Sequence, residues 1–133
     1  MAGAKIVAVY DLATLLKSLT VKQHEGVWAY TSLPKAESSW ADLVNLRSVR
    51  DIALLFTEAE GLTVIHAASA ETARDNRWVW LELAVYSDLN AVGFLAAVAE
   101  ALRRAGVPCN AVAAYHHDHL FVPEDKVEAA LNA

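Results

Sequence analysis

Residues 87–133 hold the pattern that most constrains the fold of this chain. Apolar side chains recur at helical spacing from Leu89 to Leu102, and Gly106 stands where a glycine commonly ends a helix. Two short apolar runs within 109–122 then predict a β-hairpin, which a closing helix follows. With the strand predicted immediately before it, the segment has the order β-α-β-β-α of a split βαβ plan.

The preceding strand, predicted at 78–86, separates its side chains onto two faces, because alternate residues of a strand point to opposite sides of a sheet. One face is aliphatic and is expected in the core, and the other carries two tryptophans. Soluble monomers rarely expose an apolar patch of this size, so we expect the tryptophan face to be covered. The aliphatic residues are Val79, Leu81, Leu83 and Val85, and those of the other face are Trp78, Trp80, Glu82 and Tyr86.

The first half of the chain shows a similar succession of elements. It contains a predicted strand that ends at Pro34, two strands at 51–58 and 62–66, and a short helix at 69–76. The two strands are joined by a turn signal around Glu60, which predicts a second hairpin.

An internal repeat relates the two halves. A shift of 58 residues aligns the two hairpins and superposes Leu62 on Leu120, with Glu60 and Asp118 both expected in turns. We therefore predict two half-domains packed as one compact unit. The first spans 1–76, with an N-terminal extension and an insertion at 34–50, and the second spans 77–133.

Composition excludes several classes of protein. Hydrophobic residues make up 56% of the 133-residue chain and charged residues 20%, which is too apolar for a disordered protein. The net charge is −5 without a basic run, so we expect no nucleic-acid partner. No apolar run is long enough for a membrane span, no signal peptide opens the chain, and Cys109 is the only cysteine. These features predict a cytoplasmic protein.

The chain resembles ACT domains. The resemblance rests on GFLAAVAEALRRAGVPCNAVAAY and on LFVPEDKVEAALNA. The motifs DLATLLKSL, FTEAEGLTVI and CNAVAAYHHDHLFVP are similar to those of short proteins with two ACT-like modules, and to the CASTOR-type amino-acid sensors. The resemblance implies an α+β fold of ferredoxin-like βαββα modules, a regulatory role without catalysis or a cofactor, and a homodimer. It also implies a small metabolite, in the first place an amino acid, bound at a module interface.

A candidate ligand site lies in the turn between the second-half strand and its helix. The first helical turn has unpaired N–H groups that suit a carboxylate, and a glycine there permits close approach. Asp88 or Glu82 is available for an ammonium group. The competing interpretation is helix capping by Ser87 or Asp88, with the glycine needed for packing. The candidate residues are Ser87, Asp88, Leu89, Asn90, Ala91, Val92 and Gly93.

A second candidate is the histidine-rich run at 116–119. His117, Asp118 and His119 offer metal-ligating atoms, but adjacent strand residues point to opposite faces, and a further ligand from His66 or Glu60 is needed. We favour a polar turn without a metal. A catalytic His–Asp pair also lacks a nucleophile in the sequence.

Three hypotheses of function therefore stand side by side. The first is a non-enzymatic regulatory domain that binds an amino acid, and the second is a ligand-free dimerisation or interaction module that uses Trp78 and Trp80. The third is a metal-binding enzyme built on residues 116–119.

Overall fold

A computed structural model describes residues 18–34, 51–85 and 92–133. The predictions for the N-terminal extension, for the insertion and for most of the candidate ligand turn therefore lie outside the described residues. The chain divides into two compact units. One is Gly26–Trp78, and the other is Val79–Ala133 with the segment that ends at Glu25.

The described strands and helices are short. The strands are β1 Val21–Gln23, β2 Trp28–Pro34, β3 Ile52–Thr57, β4 Gly61–Ala67, β5 Trp78–Leu83, β6 Asn110–Ala113 and β7 Asp118–Pro123. The helices are α1 Phe94–Arg104 and α2 Val127–Leu131, with single 3-10 turns at Arg74–Asn76 and Glu124–Lys126. No helix of the described ranges is long and apolar enough to cross a membrane.

The unit Gly26–Trp78 is built on three antiparallel strands in the order β3-β4-β2. The predicted first hairpin is confirmed: Glu58 and Gly61 close its turn with a backbone hydrogen bond of 2.8 Å. The β-branched residues Val64 and Ile65 on the central strand are almost fully buried, as the inner strand of such a sheet requires.

The helix predicted at 69–76 is wrong, because only the 3-10 turn Arg74–Asn76 forms there. In this segment, hydrogen bonds between side chains and backbone groups compete with the backbone hydrogen bonds of a helix. The Ser69 amide donates to the Thr72 hydroxyl at 2.9 Å. The Asn76 side chain binds Tyr30 of β2 twice, accepting from its N–H at 3.0 Å and donating to its carbonyl at 2.8 Å.

In the other unit the described elements follow the order β5, α1, β6, β7, α2 after the short β1. β1 and β6 pair antiparallel with β5 and β7 respectively, and β7 is hydrogen-bonded to β5. This α+β arrangement is compatible with a ferredoxin-like module. Repetition of the full βαββα order in the first half stays a prediction.

The predicted alternation of β5 is confirmed. Val79, Leu81 and Leu83 are 4%, 2% and 1% exposed and pack in one apolar cluster with Phe94 and Leu102 of α1. The intervening residues of β5 are only partly buried and lie on the opposite face. The strand therefore separates an apolar core from a polar and aromatic surface.

The predicted helix end at Gly106 is also confirmed, with a φ angle of 72°. The Gly106 amide donates to the Arg103 carbonyl, and the Val107 amide donates to the Leu102 carbonyl, both at 3.0 Å. This is the Schellman arrangement, in which a left-handed residue satisfies the last helical carbonyls. Leu102 and Val107, which flank the turn, both belong to the core.

We expect Gly106→Ala to lower the free energy of unfolding by about 1–2 kcal/mol, because an L side chain is strained at this φ. Apart from its two chain neighbours, no residue that the structure describes has an atom within 4 Å of the added Cβ, so the cost is conformational rather than steric. Gly106→Asn should recover part of the loss, because asparagine tolerates the left-handed region. Urea unfolding of the three proteins measures this, and equal stabilities would contradict it.

Candidate functional site

The predicted ligand turn is only partly within the described residues. Ser87 through Ala91 lie outside them, and the structure places Val92 and Gly93 immediately before α1. Val92 is 83% exposed and is not part of the helix, although its spacing placed it in the apolar helical stripe. The prediction for Val92 as a helical residue is therefore wrong.

The N-terminus of α1 is also later in the chain than predicted. The N-cap is Gly93, so the prediction that Ser87 or Asp88 caps this helix is wrong. Gly93 has a φ angle of 88° and offers no side chain to the first helical turn, whose first internal bond joins the Ala97 amide to the Gly93 carbonyl at 2.9 Å. The N–H groups of the first turn therefore receive no cap from the N-cap side chain.

A cluster of aromatic, imidazole and carboxylate side chains covers the polar face of β5. We call it the histidine cluster; it consists of His24, Trp80, Glu82, His117 and His119. All of these residues belong to the same compact unit. His24 follows β1, and its amide donates to the Trp80 carbonyl at 2.9 Å, which brings its ring over β5.

Stacking and a hydrogen bond orient the His24 ring. The ring lies parallel to the Trp80 indole, with centroids 3.8 Å apart and planes inclined by 7°. Its Nε2 is 2.9 Å from Glu82 Oε1, and because an ionised carboxylate only accepts, Nε2 is the donor. His24 therefore has little rotational freedom in the folded protein.

Trp80 determines the tautomer of His119. The indole N–H donates to His119 Nδ1 at 2.9 Å, so the neutral imidazole carries its proton on Nε2. Burial is the main cause that lowers the pKa of His119, and the negative charge of Glu82 partly opposes it. The ring is therefore a neutral N–H donor at physiological pH.

Glu82 is the charged centre of the histidine cluster. The hydrogen bond from His24 is the main cause that lowers the pKa of Glu82, while partial burial opposes this effect and the nearby histidines add to it. The second carboxylate oxygen lies 3.8 Å from His117 Nδ1. The Glu82 side chain is 17% exposed and ionised, so it can bind a cation or an N–H donor.

The histidine cluster differs from the predicted metal set. The structure brings His119 together with His24 and Glu82, whose ligand atoms all lie within 4.8 Å of one another. Asp118 is outside this group, and it lies in β7, where it pairs with Ala113, not in the turn as predicted. Adjacent strand residues point to opposite faces, so Asp118 does not share the face of His119. The set His117, Asp118 and His119 is therefore not the one that the geometry assembles.

The further ligands suggested by the sequence have other roles. His66 Nε2 is 2.7 Å from the Thr31 hydroxyl, and Glu60 lies in the first hairpin turn. Sequence patterns did not identify His24, because no motif surrounds it. The two tryptophans are covered within their own units: Trp80 by His24, and Trp78 by an edge contact with Tyr30 at 5.4 Å.

The comparisons with known proteins identify the family. ACT domain models match residues 76–133 and residues 7–78. The chain belongs to the ACT domain family and contains two ACT-type modules, which confirms the resemblance seen in the sequence. ACT domains are ferredoxin-like α+β modules that act in regulation rather than catalysis and generally bind small ligands such as amino acids.

Two solved structures are similar to the chain. One is a Vibrio cholerae protein of unknown function, described as a possible transport protein. It has 30% identity and a TM-score of 0.75, and the match covers 91% of this chain and 90% of that one. The other is an Agrobacterium tumefaciens protein with 14% identity and a TM-score of 0.67, covering 86% and 84%, which shows the fold alone. No match is found among the curated proteins.

We expect the unfolding free energy to fall between about pH 7.5 and 5.5, and to fall less in His119→Gln. The pKa of folded His119 is lowered from its ordinary 6.5, so the folded state binds fewer protons than the unfolded state. That stability is present above 6.5 and is lost as the pH falls towards the folded pKa. The charged and titratable groups that act on His119 are Glu82, His24, His117 and Asp118.

Urea unfolding at several pH values measures this difference. His116→Gln is the matched control, because His116 is exposed in the same hairpin and should leave the pH profile unchanged. Parallel pH profiles for wild type and His119→Gln would refute the assignment. Glu82, whose pKa is lowered from 4.5, gives a further loss only at more acidic pH.

Proposed function

We propose that this protein is a non-enzymatic regulatory domain that binds an amino acid at the turn formed by residues 87–93. The observation that carries the proposal is the N-cap of α1, which is Gly93 and offers no capping side chain, in a chain of two ACT-type modules. A glycine N-cap supplies no side-chain oxygen to the first-turn N–H groups, and such groups suit an anionic ligand. A helix start of this kind suits an α-carboxylate.

The residue that binds the ammonium group of the ligand is assigned by charge. Glu82 was one sequence candidate for the ammonium group, but its carboxylate is bonded to His24. Asp88 is therefore the favoured partner for the α-ammonium. Leu89, Asn90, Ala91 and Val92 would complete the wall of the site and determine which side chain is accepted.

The regulatory mechanism is a shift between arrangements of the two modules. We propose module boundaries at 1–76 and 77–133 and a cytoplasmic homodimer as the functional form. A ligand shifts such an equilibrium only through different affinities for the two arrangements. The partner that detects the change would bind one arrangement of the modules.

A thermal-shift screen of the twenty protein amino acids tests this proposal. We expect one amino acid, or a group of similar ones, to raise Tm by roughly 5 °C at saturation. Gly93→Ala should abolish the response, because its Cβ occupies the approach to the helix start. No shift with any amino acid would contradict the proposal.

Gly106→Ala is the matched control for this experiment. Both substitutions place an L side chain at a positive φ, 88° at Gly93 and 72° at Gly106, on opposite ends of the same helix. Both should lose basal stability, but only Gly93→Ala should lose the ligand shift. Gly93→Asn relieves the strain and keeps the obstruction, so it should fold normally and also fail to respond. A ligand shift in Gly93→Asn as large as in wild type would contradict the assignment of this turn.

The alternative function is a ligand-free dimerisation module. Phe56 favours it, because this aromatic residue is 59% exposed on β3, the last strand in the order of its sheet. Among the described strands none pairs with the other edge of β3, and an edge of this kind can pair with a second copy. If this is the function, wild type is a dimer by light scattering, and Phe56→Glu is a folded monomer.

Tyr115→Glu is the control for that measurement. Tyr115 is 78% exposed in the other hairpin, and its substitution should leave the dimer intact. A dimer that gives no thermal shift with any amino acid would favour the module over the sensor. A monomeric wild type would exclude the dimerisation module.

A further inference from the structure

The polar face of β5 carries a set of side chains that the amino-acid site does not use. We propose that His24, Glu82 and His119 bind a divalent transition-metal ion, with Zn²⁺ as the reference ion. Two imidazoles and one carboxylate are a ligand set that zinc accepts, leaving one position for water or another ligand. The three ligand atoms lie within 4.8 Å of one another.

The distances are close to those of a bound ion. In a tetrahedral zinc site, neighbouring ligand atoms are roughly 3.3 Å apart, given metal–ligand distances of about 2.0–2.1 Å. His24 Nε2 and Glu82 Oε1 are already 2.9 Å apart. Metal bonds replace this hydrogen bond, and His24 Nε2 releases its proton when it becomes a ligand.

The ligands are held on a hydrogen-bonded framework. Glu82 lies on β5 and His119 on the neighbouring β7, while His24 directly follows β1, which pairs with β5. Ligands on strands are positioned more accurately than ligands on loops. The fold therefore holds the backbone of Glu82 and His119 in place before an ion binds.

The histidine cluster is partly open to solvent, so an ion can enter it. The side chains of His24 and Glu82 are 24% and 17% exposed. His117 is a further imidazole of the cluster, with Nδ1 3.8 Å from the other oxygen of Glu82 and a side chain 34% exposed.

Trp80 gives this site an unusual feature. Its indole N–H donates to His119 Nδ1, so neither nitrogen of the neutral ring is open to a metal: Nδ1 accepts the bond and Nε2 carries the proton. Binding at Nδ1 displaces the indole, and binding at Nε2 moves the proton to Nδ1, where it meets the indole N–H. In both cases the ion must break the bond that Trp80 makes.

Metal titration of the full chain, prepared without a histidine tag and stripped with a chelator, tests the proposal. We expect one Zn²⁺ per chain in calorimetry, and a Co²⁺ derivative with the visible absorption of a four-coordinate site. His24→Gln, Glu82→Gln and His119→Gln should each weaken binding by roughly tenfold or more. Trp80→Phe should strengthen it by up to about tenfold, because the competing hydrogen bond is gone.

The chain offers one control for the carboxylate and one for the imidazoles. Asp118→Asn and His116→Gln change a carboxylate and an imidazole outside the proposed ligand set and should bind Zn²⁺ as wild type does. The Co²⁺ spectrum of each variant that still binds metal separates a lost ligand from a general loss of stability, and circular dichroism checks the fold. Weaker binding in Asp118→Asn or His116→Gln, with unchanged binding in His24→Gln, would overturn the proposal, as would no binding at all. Amino-acid binding at residues 87–93 is tested separately, so either proposal can fail alone.

Discussion

The alternation of β5 is the constraint on which the rest of this unit depends. Val79, Leu81 and Leu83 are nearly fully buried, and burial of each such aliphatic side chain stabilises the fold by about 1.5–3 kcal/mol. A slip of one residue would expose all three and force Trp80 and Glu82 into the apolar core, where an unpaired carboxylate is far more costly. The position of the histidine cluster is therefore a consequence of how the core packs on the other face.

Much of this fold was predictable because its signals are local. Gly106 ends α1 in a left-handed conformation, and the strict alternation of apolar with polar or aromatic residues is enough to identify β5. The start of α1 was not predictable in the same way. Serine and aspartate are both preferred N-cap residue types, so Ser87 and Asp88 were plausible caps, whereas a glycine at position 93 fits either a cap or a packing contact. Local propensity does not separate these alternatives.

The candidate site shows where local signals stop being sufficient. The hairpin histidines were visible as a run, but His24 joins them only because β1 pairs with β5, a contact between distant parts of the chain. The internal repeat also misplaced the second turn. Glu58 and Ala114, which begin the two closing pairs, are 56 positions apart instead of 58. The turn therefore ends at His117, and Asp118 falls within β7 and outside the proposed metal-ligand set.

The two proposed sites share one packed layer. Phe94, the first residue of α1 after Gly93, is 2% exposed and lies in the same apolar cluster as Leu81 and Leu83. Glu82 stands between those two leucines and points to the opposite face. An ion bound by Glu82 would therefore act on β5, the strand against which the start of α1 packs. A ligand bound at Gly93 would act on the same apolar cluster through Phe94. Coupling between binding sites is reciprocal, so any effect of the ion on ligand affinity must be matched by an equal effect of the ligand on ion affinity.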